Sequence, residues 1–158
     1  MKIIGDGGHA KVVCDIAKYY RFAEQARLAF VAIGDNAIRK RESERAREDG
    51  YALAILRHPS AIIADDAHID VGTLICANVV VQPEARIGKG VILNTGCSID
   101  HDCVIGDYAH IAPGAHLCGN VTVGEGALVG VGVGIAPNTE IPPWSLVKAR
   151  RLEICPMK

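Results

Sequence analysis

Aromatic residues are scarce in this 158-residue chain, at 4%, although apolar residues reach 49%. The core must therefore be built from Ile, Val, Leu and Ala, and a core without rings calls for a repetitive packing scheme. No apolar stretch runs to about 18 uninterrupted residues, so no segment reads as a membrane span, and the N-terminus lacks the apolar run of a signal peptide. The six cysteines (Cys14, Cys76, Cys97, Cys103, Cys118, Cys155) include no C-x-x-C pair, which reads as reduced thiols in a cytoplasmic protein. An excess of one charge is lacking too. Lys and Arg number 17 against 18 Asp and Glu, with no basic stripe, so nucleic acid is not expected as a partner. The stretch Arg39 to Arg47 alternates sign as a solvated helix face would. The length suits one compact domain with a small appendage.

What the chain does contain is a period of six. Stepping from Ile63 through Ile69, Ile75 and Val81 to Val147, all fifteen positions hold Ile, Leu or Val. Two residues earlier, the series from Ala61 to Ser145 is small or β-branched throughout and includes Cys97 and Cys103. Neither the 3.6-residue period of a helix nor simple strand alternation gives a strict six, whereas a triangular coil with three short faces does. Eighteen residues make one turn, and residues eighteen apart stack at about 4.8 Å. The run from Ala61 to Val147 predicts a parallel β-helix of about five coils, with both series pointing inward. An ordinary β-sandwich does not hold phase through so many repeats. Cys97 and Cys103 are then core residues, while Cys76 and Cys118 fall at corner positions that the pattern leaves undecided. Gly88, Gly106, Gly124 and Gly130, just after the aliphatic position, suit tight corners.

The first third has a different character. Lys2 to Gly5 reads as a strand, followed by Gly5-Asp6-Gly7-Gly8-His9-Ala10 and a helix over Lys11 to Tyr20. This matches the G-x-G-x-x-G/A turn that lets a backbone approach phosphate at a helix N-terminus. The alternative is a tight strand-to-helix turn with His9 as a satisfied cap. A second strand, Phe30 to Ile33, runs through Gly34-Asp35-Asn36 into a charged helix from about Ala37 to Glu48. No strand ends in an acidic residue about 20 residues beyond the glycines, which disfavours a dinucleotide cofactor.

Two segments, GDGGHAKVVCDIA and ILNTGCSIDHDCVIGDYAHIAPGAHLCGNVTVGEGALVGVG, resemble the hexapeptide-repeat sugar acetyltransferases of bacterial glycan biosynthesis, the sialic acid O-acetyltransferase and UDP-amino-sugar N-acetyltransferase group. The hexapeptide repeat marks a superfamily; the N-T-x-x-x-I-x-H-[DE]-C block with a G-x-G-G-H start is more specific. The resemblance covers nearly the whole chain. It implies a left-handed β-helix over 59–158, an abbreviated Rossmann-like acceptor-binding domain over 1–58, acetyl-CoA as cosubstrate, and a homotrimer. His101 is implied as general base, with Asp102 raising its basicity. His110, Gly119, Val131 and Ala149 are implied contacts to acetyl-CoA; Gly7, Gly8, His9, Gly34 and Asn94 are implied contacts to a sugar or nucleotide-sugar acceptor. The chain departs from the family in two places. The family's second strand with its acidic pair is missing between Tyr20 and Phe30. The closing turn is replaced by Ile141-Pro142-Pro143-Trp144-Ser145-Leu146-Val147-Lys148-Ala149-Arg150, which puts Ala149 in place of a glycine against CoA.

The chemistry also follows from the residues. Acyl transfer from a thioester needs a base for the acceptor's proton and a donor aimed at the developing oxyanion. His101 and Gly119 are eighteen residues apart, one full coil, so the Gly119 backbone is expected to stack on His101. Polar residues crowd this stretch (Asn94, Thr95, Ser98, Asp100, His101, Asp102, His110), which a packed coil does not require. Asp100 rivals Asp102 as the partner of the imidazole, and His68 and His116 read as surface residues. Two other functions are open to such a chain. One is a gamma-class carbonic anhydrase-like enzyme binding zinc through His101, His110 and His116; the other is a non-catalytic scaffold or nucleotide-sugar-binding protein. The reading taken is an acetyltransferase without a resident metal.

Overall fold

The computed structural model describes residues 1–20 and 27–149. The N-terminal unit runs β1 (Lys2–Ile4), α1 (Gly8–Ala17), β2 (Leu28–Val31), α2 (Asn36–Glu48) and β3 (Ala52–Leu53). The three strands form one parallel sheet in the order β1-β2-β3. Helix α1 starts three residues before its expected position, because Gly7 takes an extended backbone (φ −79°, ψ −165°) and serves as its N-cap. His9 therefore sits in the first turn of the helix. Strand β2 begins two residues before the expected Phe30. The two-residue β3 was not anticipated, being too short to show alternation. The missing acidic strand expected between Tyr20 and Phe30 falls partly on residues 21–26, outside the described residues, as do Arg150 and Cys155.

Helix α2 starts where expected because the Asp35 side chain accepts a hydrogen bond from the Ile38 N–H at 2.8 Å. Its charged stretch is not a wholly solvated face, however. Arg39, Ser43 and Ala46, spaced four and three apart, are buried and form the face that packs inward. Alternating charge hid this pattern, since the inward face of α2 holds one long cation and two small residues instead of aliphatics.

From Leu56 onward the chain is a parallel solenoid of about five turns with three faces. The first face stacks Leu56–Arg57, Leu74–Ile75, Ile92–Leu93, His110–Ile111, Leu128–Val129 and Leu146–Val147. The second stacks Ile62–Ile63, Val80–Val81, Ser98–Ile99, His116–Leu117 and Gly134–Ile135; the third, His68–Ile69, Arg86–Ile87, Val104–Ile105, Thr122–Val123 and Glu140–Ile141. Each strand pairs with the residues eighteen positions away, as in Ser98↔His116 and Ile99↔Leu117. The ladder begins at Leu56, ahead of Ala61 where the repeat becomes visible, because Leu56 pairs with Leu74.

Both inward series are buried along the middle of the solenoid: Ile87, Leu93, Ile99, Ile105 and Ile111 on one side, and Ala85, Val91, Cys97, Cys103 and Ala109 beside them. Burying each aliphatic side chain contributes roughly 1.5–3 kcal/mol. Burial pushes the Cys97 thiol up to about 12 and the Cys76 thiol to about 11, so both are inert packing residues. Cys118, at a corner, is exposed.

The corners differ from expectation. Every sixth residue from Gly72 to Trp144 takes a positive φ between 56° and 75°, and most of these are Gly or Asn. Gly88, Gly106, Gly124 and Gly130 are not among them. They are needed where one coil lies flat on the next: a Cβ on Gly106 would sit 2.6 Å from the Glu125 nitrogen, and one on Gly124 would collide with the Pro143 backbone.

Candidate active site

The corner between the second and third faces carries Asp100-His101-Asp102. Asp100 Oδ1 accepts the His101 backbone N–H at 2.9 Å, while Asp102, in the left-handed region at φ 61°, turns its carboxylate onto the imidazole, with Oδ2 at 2.6 Å from Nδ1. The rivalry between the two acids is thereby divided by geometry: Asp100 fixes the turn and Asp102 orients the ring. The hydrogen bond to Asp102, followed by the charges of Asp100 and Asp102, holds the His101 imidazole above its ordinary value. With Nδ1 engaged, Nε2 makes no hydrogen bond among the described residues, on a side chain 60% exposed.

Gly119 stacks on this ring one coil away. A Cβ there would lie 2.6 Å from His101 Cε1 and 2.7 Å from Nε2, and the next residue, Asn120, donates its N–H to the His101 carbonyl at 2.9 Å. At the equivalent corner positions Val71, Thr95 and His101, the backbone N–H is capped by the Asp or Asn before it. Cys118 precedes Gly119 and supplies no such cap, and no hydrogen bond to the Gly119 N–H forms among the described residues, as at Ala77 and Val131 of the same phase. Beside this corner a cavity of about 210 Å³ is lined by Gln82, Ser98, Asp100, His116 and Cys118, and the exposed His116 pairs with Ser98 Oγ at 2.8 Å.

A second cluster forms where the N-terminal unit meets the first face. His110 is 9% exposed, and its Nε2 accepts from the Asn94 side-chain amide at 3.1 Å. Its ring meets that of His9 edge-on, with centroids 5.5 Å apart and planes at 82°. Burial, then the charges of Arg39 and His9, depress the His110 imidazole to about 3; His9 is lowered by burial and then by Arg39. Gly34 packs against the His9 ring, closely enough that a Cβ would meet it at 2.6 Å. His9 is not a satisfied cap: its Nε2 is buried without a partner, and α1 has no side-chain cap. Gly7 and Gly8, at the start of α1 where no side chain caps the helix, face open space.

Val131 is 61% exposed on the corner between the first and second faces, and Ala149 lies above it against Gly130. The expected residues thus fall into three groups. His101, Asp102 and Gly119 share one corner; His9, Gly34, Asn94 and His110 share the junction of the two parts; Asn94, Val131 and Ala149 follow the corner that precedes the second face. Within one chain the whole second face separates His101 from Asn94. His110 contacts His9, Asn94 and their surroundings, whereas His116 contacts Ser98, and among the described residues no group of three His, Cys, Asp or Glu could hold a metal. No described helix is long and apolar enough to cross a membrane. Sequence reasoning missed Arg39, which donates six hydrogen bonds at the junction.

The three-faced solenoid of two-residue strands is the architecture of hexapeptide transferases, and residues 84–119 and 102–137 match the family described as bacterial transferase hexapeptide (six repeats). The chain is similar to PerB from Caulobacter crescentus, solved in complex with CoA and GDP-perosamine, at 32% identity and TM-score 0.90, covering 93% of this chain and 84% of that one. A mutant of perosamine N-acetyltransferase from the same organism matches at 32% identity and TM-score 0.88, over the same shares. It is also similar to the acetyltransferase domain of PglB from Neisseria gonorrhoeae, solved with acetyl coenzyme A, at 30% identity and TM-score 0.87, covering 98% and 90%. WeeI from Acinetobacter baumannii, at 20% identity and TM-score 0.70 over 94% and 95%, shares the fold. The chain belongs to the hexapeptide-repeat family of sugar acetyltransferases.

Proposed function

We propose that this chain transfers the acetyl group of acetyl-CoA to an amino or hydroxyl group of a sugar or nucleotide sugar, with His101 as general base. The observation that carries the reading is the His101 ring held by Asp102 at 2.6 Å and backed by Gly119, whose N–H is uncapped. The acceptor N–H or O–H attacks the thioester carbonyl carbon while His101 Nε2 takes its proton. The tetrahedral oxyanion is stabilised by the Gly119 N–H. The C–S bond then breaks, and the imidazolium returns the proton to the departing CoA sulfur. His110 is unsuited to this role, because an imidazole depressed to about 3 with its Nε2 already occupied is too weak a base. It serves better as a neutral contact to the acyl donor.

The unit spanning 1–58 is assigned to the acceptor, in the manner of an abbreviated Rossmann-like domain, and 59–158 to acyl transfer. Gly7, Gly8, His9 and Gly34 of that unit, with Asn94 from the solenoid, are the acceptor contacts; Gly119, Val131 and Ala149 border the CoA path. Because the second face separates His101 from Asn94, a complete site requires another copy of the chain, which favours a homotrimer sharing three sites. Unpaired, partly buried cysteines suit a cytoplasmic setting. Acetyl-CoA consumption measured across nucleotide-linked amino sugars, free amino sugars and sialic acid tests the assignment. Turnover with a sugar is the expected result, and thioester stable against every acceptor would refute it.

A further inference from the structure

Arg39 is 1% exposed, yet its guanidinium forms no ion pair among the described residues. Burying a cation without a carboxylate is costly unless its N–H groups are bonded. Here they are, and to two separate parts of the protein. On the solenoid side, Nε donates to the Gly90 carbonyl at 2.7 Å and Nη2 to the Tyr108 carbonyl at 2.6 Å. On the N-terminal side, Nη1 donates to the carbonyls of Ile33 and Gly34, both at 3.1 Å. The loop so held presses Gly34 onto the His9 ring, and the strand so held starts two residues after Tyr108 with His110. Only a planar fork with donors on three nitrogens spans both sets at once.

We propose that Arg39 is a positioning residue for the His9–His110 pair: its guanidinium locks the Ile33–Gly34 loop to the Tyr108–His110 segment, so that the two rings present one fixed edge-to-face pair. The inference rests on the reading that this pair contacts acceptor and acyl donor. Its charge also opposes protonation of both rings, second to burial at His9 and His110 alike.

The test compares Arg39→Lys and Arg39→Ala with the wild type. A lysine ammonium cannot bridge both sets of carbonyls, so the Lys variant should fold, as judged by circular dichroism, while KM for acetyl-CoA and for the acceptor rises about tenfold or more. Its kcat at saturation should stay within about threefold, because His101 and Asp102 lie on another corner. Millimolar guanidinium should restore the KM values of the Ala variant. Should that variant fail to fold, the Lys variant decides. Nitrogen-15 NMR of labelled histidines gives a readout without turnover: one His110 tautomer, protonated at Nδ1, in the wild type, and mixed tautomers in the Lys variant. Unchanged KM values with wild-type histidine signals, or a loss confined to melting temperature and kcat, would overturn the proposal. A wild type that transfers no acetyl group would instead count against the proposed function, leaving the NMR comparison to decide the role of Arg39.

Discussion

An imidazole accepts a proton only while neutral, and accepts it well only when its pKa lies near the working pH. The two histidines of the family blocks are pushed in opposite directions from that point: Asp102 raises His101, and burial with Arg39 lowers His110 to about 3. Removing the charge beside His101 makes its imidazolium easier to deprotonate, so Asp102→Asn should move the acid limb of the kcat/KM profile to lower pH while reducing kcat less than loss of the imidazole itself. A limb that stays in place would contradict the pairing. His110 makes a different prediction, about stability. Between its folded value near 3 and its unfolded value of about 6.5, the unfolded chain binds the additional proton, so stability falls with pH through that window by up to about 1.4 kcal/mol per unit. Urea unfolding at neutral and mildly acid pH should show a shallower acid loss for His110→Gln than for the wild type. Equal slopes would show that the ring is not held neutral.

The glycines of the solenoid separate two kinds of close approach. At Gly119 a Cβ would meet the tip of an exposed side chain, His101, which can swing away; at Gly124 it would meet the Pro143 backbone, which cannot. Gly119→Ala should therefore lower turnover with a melting temperature near that of the wild type, whereas Gly124→Ala should cost about 1–3 kcal/mol of stability by overpacking. A reversed outcome in thermal melts and rate assays would reject this distinction. The period of six made the coils legible because one inward aliphatic recurs on every face, from Ile63 to Val147. The His101 and Gly119 pairing was legible for the same reason, since eighteen residues return the chain to the same corner. Arg39 was not legible: apart from the Asn36 side chain, its partners are backbone carbonyls from residues 33 to 109, and carbonyls carry no side-chain signature. Nor was the positive-φ ladder, because Glu84, Tyr108 and Trp144 interrupt its run of Gly, Asn and Asp.

At the scale of the whole molecule, one chain holds His101 on one corner and Asn94 on another, with Ser98 and His116 on the face between them. Assembly would bring the Asn94 corner of one copy to the His101 corner of the next. Light scattering should then give the mass of three chains, and mixing His101→Ala chains with Asn94→Ala chains, each impaired alone, should recover part of the activity. A monomer that retains full activity would contradict shared sites. The claim beneath all of this is that His101 removes the acceptor's proton, and its most direct test is the turnover of His101→Ala at saturating acetyl-CoA and acceptor, measured beside its acetyl-CoA affinity. General-base catalysis is worth about 10² to 10⁴ in rate, so kcat should fall by that factor with affinity and assembly retained. Turnover close to that of the wild type would contradict the account.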